Sequence, residues 1–358
     1  MTGSDAEIHS PDDEAGHGRS GADAAEPRPR ALVTGATGAL GPSVVAELRA
    51  AGFQVRTLSL DEPGPGVLPG DVERVVGDIN DATAVAAAVE SCEVVVHMAA
   101  LLHVFESTPE MHRQYELVNV AGTAVVVAKA AKAHVGRVVL FSTIAVYGHS
   151  GADPITEDSP ARPETMYAES KLASEQVVLA ARRADGRPLG TVLRLAAAYG
   201  PRVKGNYLRL LRSLAHRRFV SLGRGGNRRT LVYDADVARA AVVAARDSSA
   251  AGCVFNVTDG RVHTVRGVIE AMCAALGRRP PRFSVPVGPA RVAAGLVEKV
   301  AGTVGVKAPV TRSAIDKFTE DVAVDGSRFQ RELGFRPAYD LERGWRETVA
   351  TMRRAGEL

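Results

Sequence analysis

The chain has 358 residues, of which 46% are hydrophobic and 24% charged, and its net charge is +3 at pH 7. This composition is ordinary for a soluble globular protein that buries a substantial core. The sequence contains no dense lysine or arginine block and no apolar run of membrane-spanning length, which argues against a nucleic-acid partner and a membrane span.

The N-terminus and the cysteines indicate where the protein resides and whether it binds a metal. The first residues contain no apolar core of the kind found in signal peptides, so we expect a cytoplasmic protein. Cys92, Cys253 and Cys273 are scattered and show no metal-ligand spacing. We therefore predict reduced, packed thiols and no bound metal.

Strands and helices alternate from residue 31 onward. Residues 1–30 lack periodic apolar positions and are rich in Gly, Ala, Asp, Ser and Pro, which predicts a disordered tail. The predicted strands are Ala31–Val33, Gln54–Leu58, Val72–Val76, Val94–His97, Arg137–Phe141, Leu189–Arg194 and Val254–Val257. The predicted helices cover 42–51, 81–90, 111–134, 167–184 and 234–246. Because several strands are apolar on both faces, this order predicts an α/β fold with a doubly wound parallel sheet of the Rossmann type.

A second, smaller lobe follows the sheet. After Tyr199 the sequence becomes richer in Gly, Pro and Arg. We predict a mixed α/β substrate lobe from residues 199–233 and 263–358. The dinucleotide-binding domain would comprise residues 31–198 plus about 234–262.

The end of the chain has the clearest amphipathic pattern. Asp340 is a plausible N-cap, and four apolar residues share one helical face: Leu341, Trp345, Val349 and Met352. This stripe predicts a helix packed on the core.

The segment Thr34–Gly41 has the spacing G-x-x-G-x-x-G between a predicted strand and a predicted helix. Glycines allow a sharp turn and close approach of a pyrophosphate, and the helix N-terminus offers free N–H groups and a partial positive charge. The motif alone is weak, because glycine-rich turns also occur for packing reasons. Whether the turn binds a pyrophosphate therefore depends on the motifs that follow it.

A possible acid/base group lies at the start of a predicted helix. Tyr167 and Lys171 are four residues apart and so share one face. An adjacent ammonium would lower the pKa of the phenol, whose ordinary value of about 10 makes it a poor base. Thr143 directly follows a buried strand and could donate to a substrate oxygen near Tyr167. We interpret His97, at another strand end, as a packed residue.

These elements form part of a longer ordered series of motifs. The series is T-G-x-x-G-x-x-G at Thr34–Gly41, G-D-I-x-D at Gly77–Asp81, H-M-A-A at His97–Ala100, N-V-x-G-T at Asn119–Thr123, S-T-x-x-V-Y-G at Ser142–Gly148, P-x-x-x-Y-x-x-S-K at Pro163–Lys171, R-x-x-x-x-Y-G-P at Arg194–Pro201, R-x-L-V-Y-x-x-D-V at Arg229–Val237, F-N-V at Phe255–Val257 and L-G-F-x-P at Leu333–Pro337. Over about residues 31–350 it resembles the extended short-chain dehydrogenase/reductase family. That family contains the NAD-dependent nucleotide-sugar epimerases and dehydratases.

The resemblance implies a role for each matching position. Tyr167 would be the acid/base, Lys171 would lower its pKa and hold the nicotinamide ribose, and Thr143 would orient the substrate hydroxyl. The remaining cofactor-binding positions would be Gly35, Thr37, Gly38, Leu40 and Gly41 at the pyrophosphate, Ser59 and Asp61 near the adenosine ribose, Asp78 and Ile79 at the adenine, and Ala99, Ala100 and Asn119 toward the nicotinamide.

The resemblance leaves the cofactor open between NAD and NADP. Members that use NAD place an acid at the end of the second strand, where a carboxylate accepts from the ribose 2′-OH. Here the matching position is Ser59, and Asp61 comes two residues later. We expect NAD, and NADP is not excluded.

The substrate implied by the resemblance is a nucleotide sugar. Asn206 and Arg229 lie in segments that resemble those by which family members hold a nucleoside diphosphate, and Arg suits phosphate. Ala197 departs from the pattern, since family members usually have Asn there. Ile144 and Ala145 stand where the dehydratases have an Asp-Glu pair, which argues against 4,6-dehydration.

We therefore expect an NAD(P)-dependent C4 epimerase of a nucleoside-diphosphate hexose that acts through a transient 4-keto sugar. One alternative is an NADPH-dependent reductase of a 4-keto nucleotide sugar. Another is an oxidoreductase of the 3β-hydroxysteroid dehydrogenase type, and the non-enzymatic alternative is an NAD(P)-sensing regulator. The resemblance also implies a homodimer.

Overall fold

The computed structural model describes residues 28–102, 108–149, 151, 153–304, 306 and 311–358. The predicted N-terminal tail lies outside these ranges up to residue 27. The strands are β1 Arg30–Thr34, β2 Gln54–Ser59, β3 Glu73–Val76, β4 Val94–His97, β5 Arg137–Thr143, β6 Gly190–Leu195, β7 Ala197–Tyr199, β8 Ser221–Leu222, β9 Arg228–Arg229, β10 Leu231–Tyr233, β11 Val254–Val257, β12 His263–Thr264 and β13 Ser284–Val285. The α-helices are α1 Gly41–Ala50, α2 Ala82–Val89, α3 Pro109–Tyr115, α4 Gly122–Lys132, α5 Met166–Ala180, α6 Asn206–Ala215, α7 Asp234–Arg246, α8 Val265–Leu276, α9 Val287–Val304, α10 Arg312–Thr319, α11 Ser327–Glu332 and α12 Leu341–Arg354.

Seven parallel strands form the central sheet in the order β3-β2-β1-β4-β5-β6-β11. The order reverses between β1 and β4, and this switch point is where sheets of this kind bind dinucleotides. The prediction of a doubly wound Rossmann-type sheet is confirmed.

The strands are apolar on both faces because helices cover both sides. Along β1, Val33 packs with α1 and α7 on one face, whereas Leu32 packs with α2 and α4 on the other. Val95 and Val96 of β4 divide between the faces in the same way. This alternation follows from the two-residue period of a strand.

A third hydrophobic cluster lies largely within the ranges predicted to form the smaller lobe. α8 and α12 pack on the short parallel pair β7 and β10, and the ring of Trp345 stacks on Tyr199 with a centroid distance of 4.5 Å. Asp340 caps α12 by accepting from the Arg343 N–H at 2.8 Å, as predicted. Across the ranges that the structure describes, no helix is both long enough and apolar enough to cross a membrane.

The predicted helix 111–134 is wrong as one continuous α-helix. The structure has α3, a π-helical turn over Glu116–Ala121, and then α4. In the π-helical turn the Asn119 carbonyl accepts hydrogen bonds from two hydroxyl groups, Thr123 Oγ1 at 2.5 Å and Ser174 Oγ at 2.7 Å. Such π-turns are frequent at functional sites.

Candidate active site

The glycine turn between β1 and α1 is shaped by close backbone approach. Gly35 has φ of +72°, and a Cβ at this position would lie 2.8 Å from the Cα of Ala99. A Cβ on Gly41 would lie 1.9 Å from the Ala36 carbonyl oxygen. Both glycines are therefore required by packing, whereas Gly38 is exposed at the tip of the turn. The turn and the first N–H groups of α1 suit a pyrophosphate.

Ser59 is the last residue of β2, beside the glycine turn. The N–H of Gly35 donates to the carbonyl of Leu58 at 2.9 Å, which fixes this neighbourhood. The Ser59 hydroxyl is buried and has no hydrogen-bond partner among the described residues. An orphaned buried hydroxyl is unfavourable unless a ligand completes it. This position fits a ribose hydroxyl, and Asp61 is exposed two residues later.

The other residues expected to contact the cofactor lie around this crevice in different settings. Asp78 is exposed and accepts from the Asn80 N–H at 2.9 Å. Ile79 is buried, and a Cβ added to Gly122 would lie 2.6 Å from its Cδ1, so it packs on α4. The half-buried positions are Thr37 and Leu40 before α1, and Ala99 and Ala100 after β4.

His97 is held in a buried network, in agreement with its interpretation as a packed residue. Its Nδ1 lies 2.7 Å from the Thr34 hydroxyl, and its Nε2 lies 2.9 Å from the Thr123 hydroxyl. Burial, with a contribution from the charge of Lys171, lowers the pKa of His97 to about 3. The imidazole therefore stays neutral and ties β1 and β4 to α4.

Asn119 joins the loop after β4 to α5. Its Oδ1 accepts from the Leu101 N–H at 2.7 Å, and its Nδ2 donates to the Leu101 carbonyl at 3.1 Å and to Ser170 Oγ at 2.9 Å. Its whole amide is therefore used within the protein. We describe Asn119 as a positioning residue, because it orients the segment that contains Tyr167 and Lys171.

Tyr167 and Lys171 lie on the first turns of α5, which begins where Thr165 accepts from the Ala168 N–H at 3.2 Å. Both side chains are buried. Burial, reinforced by nearby Tyr115, raises the pKa of Tyr167 to about 12, and burial lowers the pKa of Lys171 to about 8 against the opposing effect of Glu175. The direction for Tyr167 is the opposite of our expectation, because desolvation of the phenol is the main cause of its pKa shift.

Thr143 ends β5 and caps the 3₁₀ turn Ile144–Tyr147 by accepting from the Ala145 N–H at 3.1 Å. It is only half-buried, and α5 packs against both β5 and this turn. The preceding residue, Ser142, instead donates to the buried carboxylate of Glu175. The strand end therefore presents one hydroxyl to the crevice and one to the core.

Sequence reasoning missed the buried ion pair under this edge. Glu175 on α5 accepts three hydrogen bonds from Arg194 on β6, at 2.6 to 3.1 Å. The Arg194 guanidinium also lies over the Tyr147 ring, 4.7 Å from its centroid. The sequence signal for this ion pair is a single charged residue, Arg194, in a mostly apolar predicted strand.

The two predicted substrate residues lie in different settings, although the phenol of Tyr207, the residue after Asn206, lies within interaction range of Arg229. Asn206 is exposed at the start of α6. The Arg229 guanidinium donates to the carbonyls of Lys317 at 2.9 Å and Phe318 at 3.0 Å, and also to that of Glu320. Arg229 thus anchors the end of α10.

Comparisons with known proteins agree with this geometry. A family model described as the NAD dependent epimerase/dehydratase family matches residues 31–258, which is more than half of the chain. The chain therefore belongs to this family of enzymes.

Individual relatives differ in their activities. UDP-glucose 4-epimerase of Vibrio cholerae is 28% identical, over 89% of this chain and 94% of that protein. The 4-hydroxy-2-methyl-3-oxo-4-farnesyl-3,4-dihydroquinoline-1-oxide ketoreductase of Stigmatella aurantiaca is also 28% identical, over 86% of this chain and 91% of that protein. Among solved structures, MoeE5 in complex with UDP-glucose and NAD matches with a TM-score of 0.70 and 26% identity, over 91% of this chain and 99% of that chain.

Proposed function

We propose that this enzyme is an NAD-dependent C4 epimerase of a nucleoside-diphosphate hexose. The observation that carries the proposal is the grouping of Thr143, Tyr167 and Lys171 at the same sheet edge as the glycine turn. The similarity to UDP-glucose 4-epimerase and to a structure holding UDP-glucose and NAD supports this substrate class.

The residues of the crevice fit a nicotinamide dinucleotide. The turn at Gly35–Gly41 would hold the pyrophosphate, the orphaned Ser59 hydroxyl would bond the adenosine ribose, and Lys171 would bond the nicotinamide ribose. When bound, the cofactor supplies hydride transfer to and from the substrate carbon.

The chain supplies the proton chemistry. Tyr167 takes the proton from the substrate hydroxyl as the 4-keto sugar forms and returns it to the same oxygen at the end. Thr143 donates a hydrogen bond to that oxygen and fixes its position. Lys171, charged below a pH of about 8, stabilises the phenolate that Tyr167 must form from a buried phenol.

The residues after Thr143 limit the reaction. Ile144 and Ala145 have no group that could remove or deliver a second proton. The site therefore supports oxidation and reduction at one carbon, and it does not support elimination of water from the neighbouring position.

A second candidate is an NADPH-dependent ketoreductase that uses the same three residues in one direction only. One observation favours it: the Ser59 side chain has no charge that would repel a 2′-phosphate. The similarity to the Stigmatella ketoreductase supports this candidate.

The test is turnover of UDP-hexoses by the purified protein without added cofactor. An epimerase works on the NAD it retains, whereas a reductase requires added NADPH and a keto substrate. Tyr167→Phe should lower kcat by about 10²–10⁴-fold, because the proton acceptor is lost. Tyr339→Phe, which removes a hydroxyl from the smaller lobe, is the matched control and should keep full activity. Full activity of Tyr167→Phe would show that the proposed acid/base is wrong.

A further inference from the structure

Positive charge is concentrated in one segment of the smaller lobe. Residues 278–317 contain eight basic and two acidic residues, a net charge of +6, although the whole chain has only +3. The rest of the chain therefore sums to −3. A segment of this kind creates a positive field over one part of the surface.

The same segment exposes large apolar side chains. Phe283 is 88% exposed, Val292 67% and Leu296 61%. Of the twelve exposed large hydrophobic residues in the described ranges, six lie between residues 283 and 306. Clusters of this kind on a protein surface mark sites of interaction.

The outward direction of this apolar face is set by how α9 packs on α10. Arg291 pairs with Asp316 at 2.9 Å, and Glu298 pairs with Arg312 at 3.0 Å. A Cβ added to Gly295 would lie 2.9 Å from the Arg312 Nε, so the two helices approach closely there. The polar contacts thus face α10, whereas the large apolar side chains of Val292 and Leu296 face solvent.

The segment also contains cations that make no ion pair within the described residues. Both acids of the segment, Glu298 and Asp316, are already used in ion pairs. Arg279, Arg282 and Lys299 are exposed and make no ion pair with any described residue. Exposed apolar side chains flanked by unpaired cations are the composition that binds the interface of an anionic bilayer.

We propose that this lipid-facing surface, made of Arg279, Arg282, Phe283, Val292, Leu296 and Lys299, docks the enzyme onto an anionic lipid bilayer. A second copy of the chain fits this surface less well, because a two-fold contact would bring two +6 segments together. The proposal concerns membrane attachment and does not depend on the reaction proposed above.

The lipid-facing surface lies beside the substrate lobe's interior. Arg282 and Phe283 also line a cavity of about 270 Å³ whose wall includes Phe318. The carbonyl of Phe318 is one of those bound by Arg229, at 3.0 Å. Docking would therefore place this cavity, and the segment that Arg229 anchors, at the membrane.

The test is co-sedimentation of the full chain with vesicles of phosphatidylcholine alone and of phosphatidylcholine mixed with phosphatidylglycerol. We expect binding to the anionic vesicles that weakens with added salt, since salt screens surface charge. The triple variant Phe283→Ser, Val292→Ser, Leu296→Ser should lower the partition coefficient at least about tenfold. The double variant Arg279→Glu, Arg282→Glu should lower it by more than about fivefold.

Matched controls lie outside the segment. Val262→Ser removes an exposed valine, and Arg217→Glu, Arg218→Glu reverses two exposed arginines. Both should bind the anionic vesicles as the native chain does. Tyr167→Phe should also bind normally, so failure of the proposed reaction and failure of docking give different results.

Three outcomes would overturn the proposal. The first is no binding to anionic vesicles, and the second is equal binding by the native chain and the triple serine variant. The third is a dimer, seen by sedimentation velocity, that the triple variant dissociates while vesicles stay unbound. In that case a second copy occupies the surface.

Discussion

In each of two regions of this enzyme, a side chain lies in the environment that it does not prefer: a charged group is buried in one, and an apolar group is exposed in the other. At the proposed active site, Lys171 is a charged group that is only 2% exposed. On the smaller lobe, Phe283 is an apolar group that is 88% exposed. Both arrangements are unfavourable in the isolated chain.

The two regions differ in what surrounds the unfavourable group. Lys171 lies among buried polar residues that the protein itself positions, as expected where a small ligand is enclosed. Phe283 lies on an open surface with cations at its rim, as expected for a large, flat partner. Within the buried region, polar groups with protein partners are expected to stabilise the fold, and buried groups without partners are expected to destabilise it.

The largest effect on stability is expected where a buried charge loses its partner. Arg194→Leu leaves the Glu175 carboxylate buried without its cation. The free energy of unfolding, measured by urea denaturation, should fall by about 3–5 kcal/mol. Arg187→Leu, which breaks the exposed pair with Asp185, should leave it nearly unchanged, because water screens that pair. Equal effects of the two variants would break the comparison.

A smaller effect of opposite sign is expected at Lys171. Burial lowers the pKa of Lys171 from 10.5 to about 8, so the unfolded chain binds this proton more tightly. The native free energy of unfolding should therefore rise between about pH 8 and 10.5, relative to that of Lys171→Met. Below pH 8 the variant should be more stable, by on the order of 2–3 kcal/mol.

Lys132→Met is the control for this pH dependence, because Lys132 is exposed at the end of α4. The difference in free energy of unfolding between Lys132→Met and the native chain should not change with pH. A Lys171→Met difference that also stays constant from pH 7 to 10.5 would show that the buried ammonium is not destabilising.

The smallest effect is expected at Ser59. Ser59→Ala removes a buried hydroxyl that has no partner among the described residues, so the free energy of unfolding of the ligand-free protein should rise by about 1 kcal/mol. Ser142→Ala removes a buried hydroxyl that donates to Glu175, and the free energy should fall by a similar amount. Thermal unfolding without ligand measures both changes. If both variants changed the free energy of unfolding in the same direction, this account would be contradicted.

Features that depend on neighbouring residues could be predicted from the sequence. The bounds of the strands Val94–His97 and Val254–Val257 and of the helix 234–246 match the structure. The order of strands and helices predicted the parallel sheet, because local apolar periodicity encodes both element type and burial. The four-residue spacing of Tyr167 and Lys171 likewise placed them on one helix.

Features that depend on distant residues could not be predicted. The predicted helix 111–134 is interrupted at Asn119, whose carbonyl is bound by Ser174 from another helix. The sequence predicts Arg229 as a phosphate ligand, and it does not indicate the contacts of Arg229 with the carbonyls of Lys317 and Phe318, 88 and 89 residues away. No local pattern contains these partners.

The enzyme family can be inferred from the sequence alone, because the glycine turn, Thr143 and the Tyr167–Lys171 pair occur in a fixed order. The electrostatics of that site and the outward direction of the apolar face of α9 are visible only in the folded structure. The reason is that solvation is a property of the whole fold. Burial sets the pKa values of Tyr167 and Lys171, and the contacts with α10 decide which face of α9 meets water.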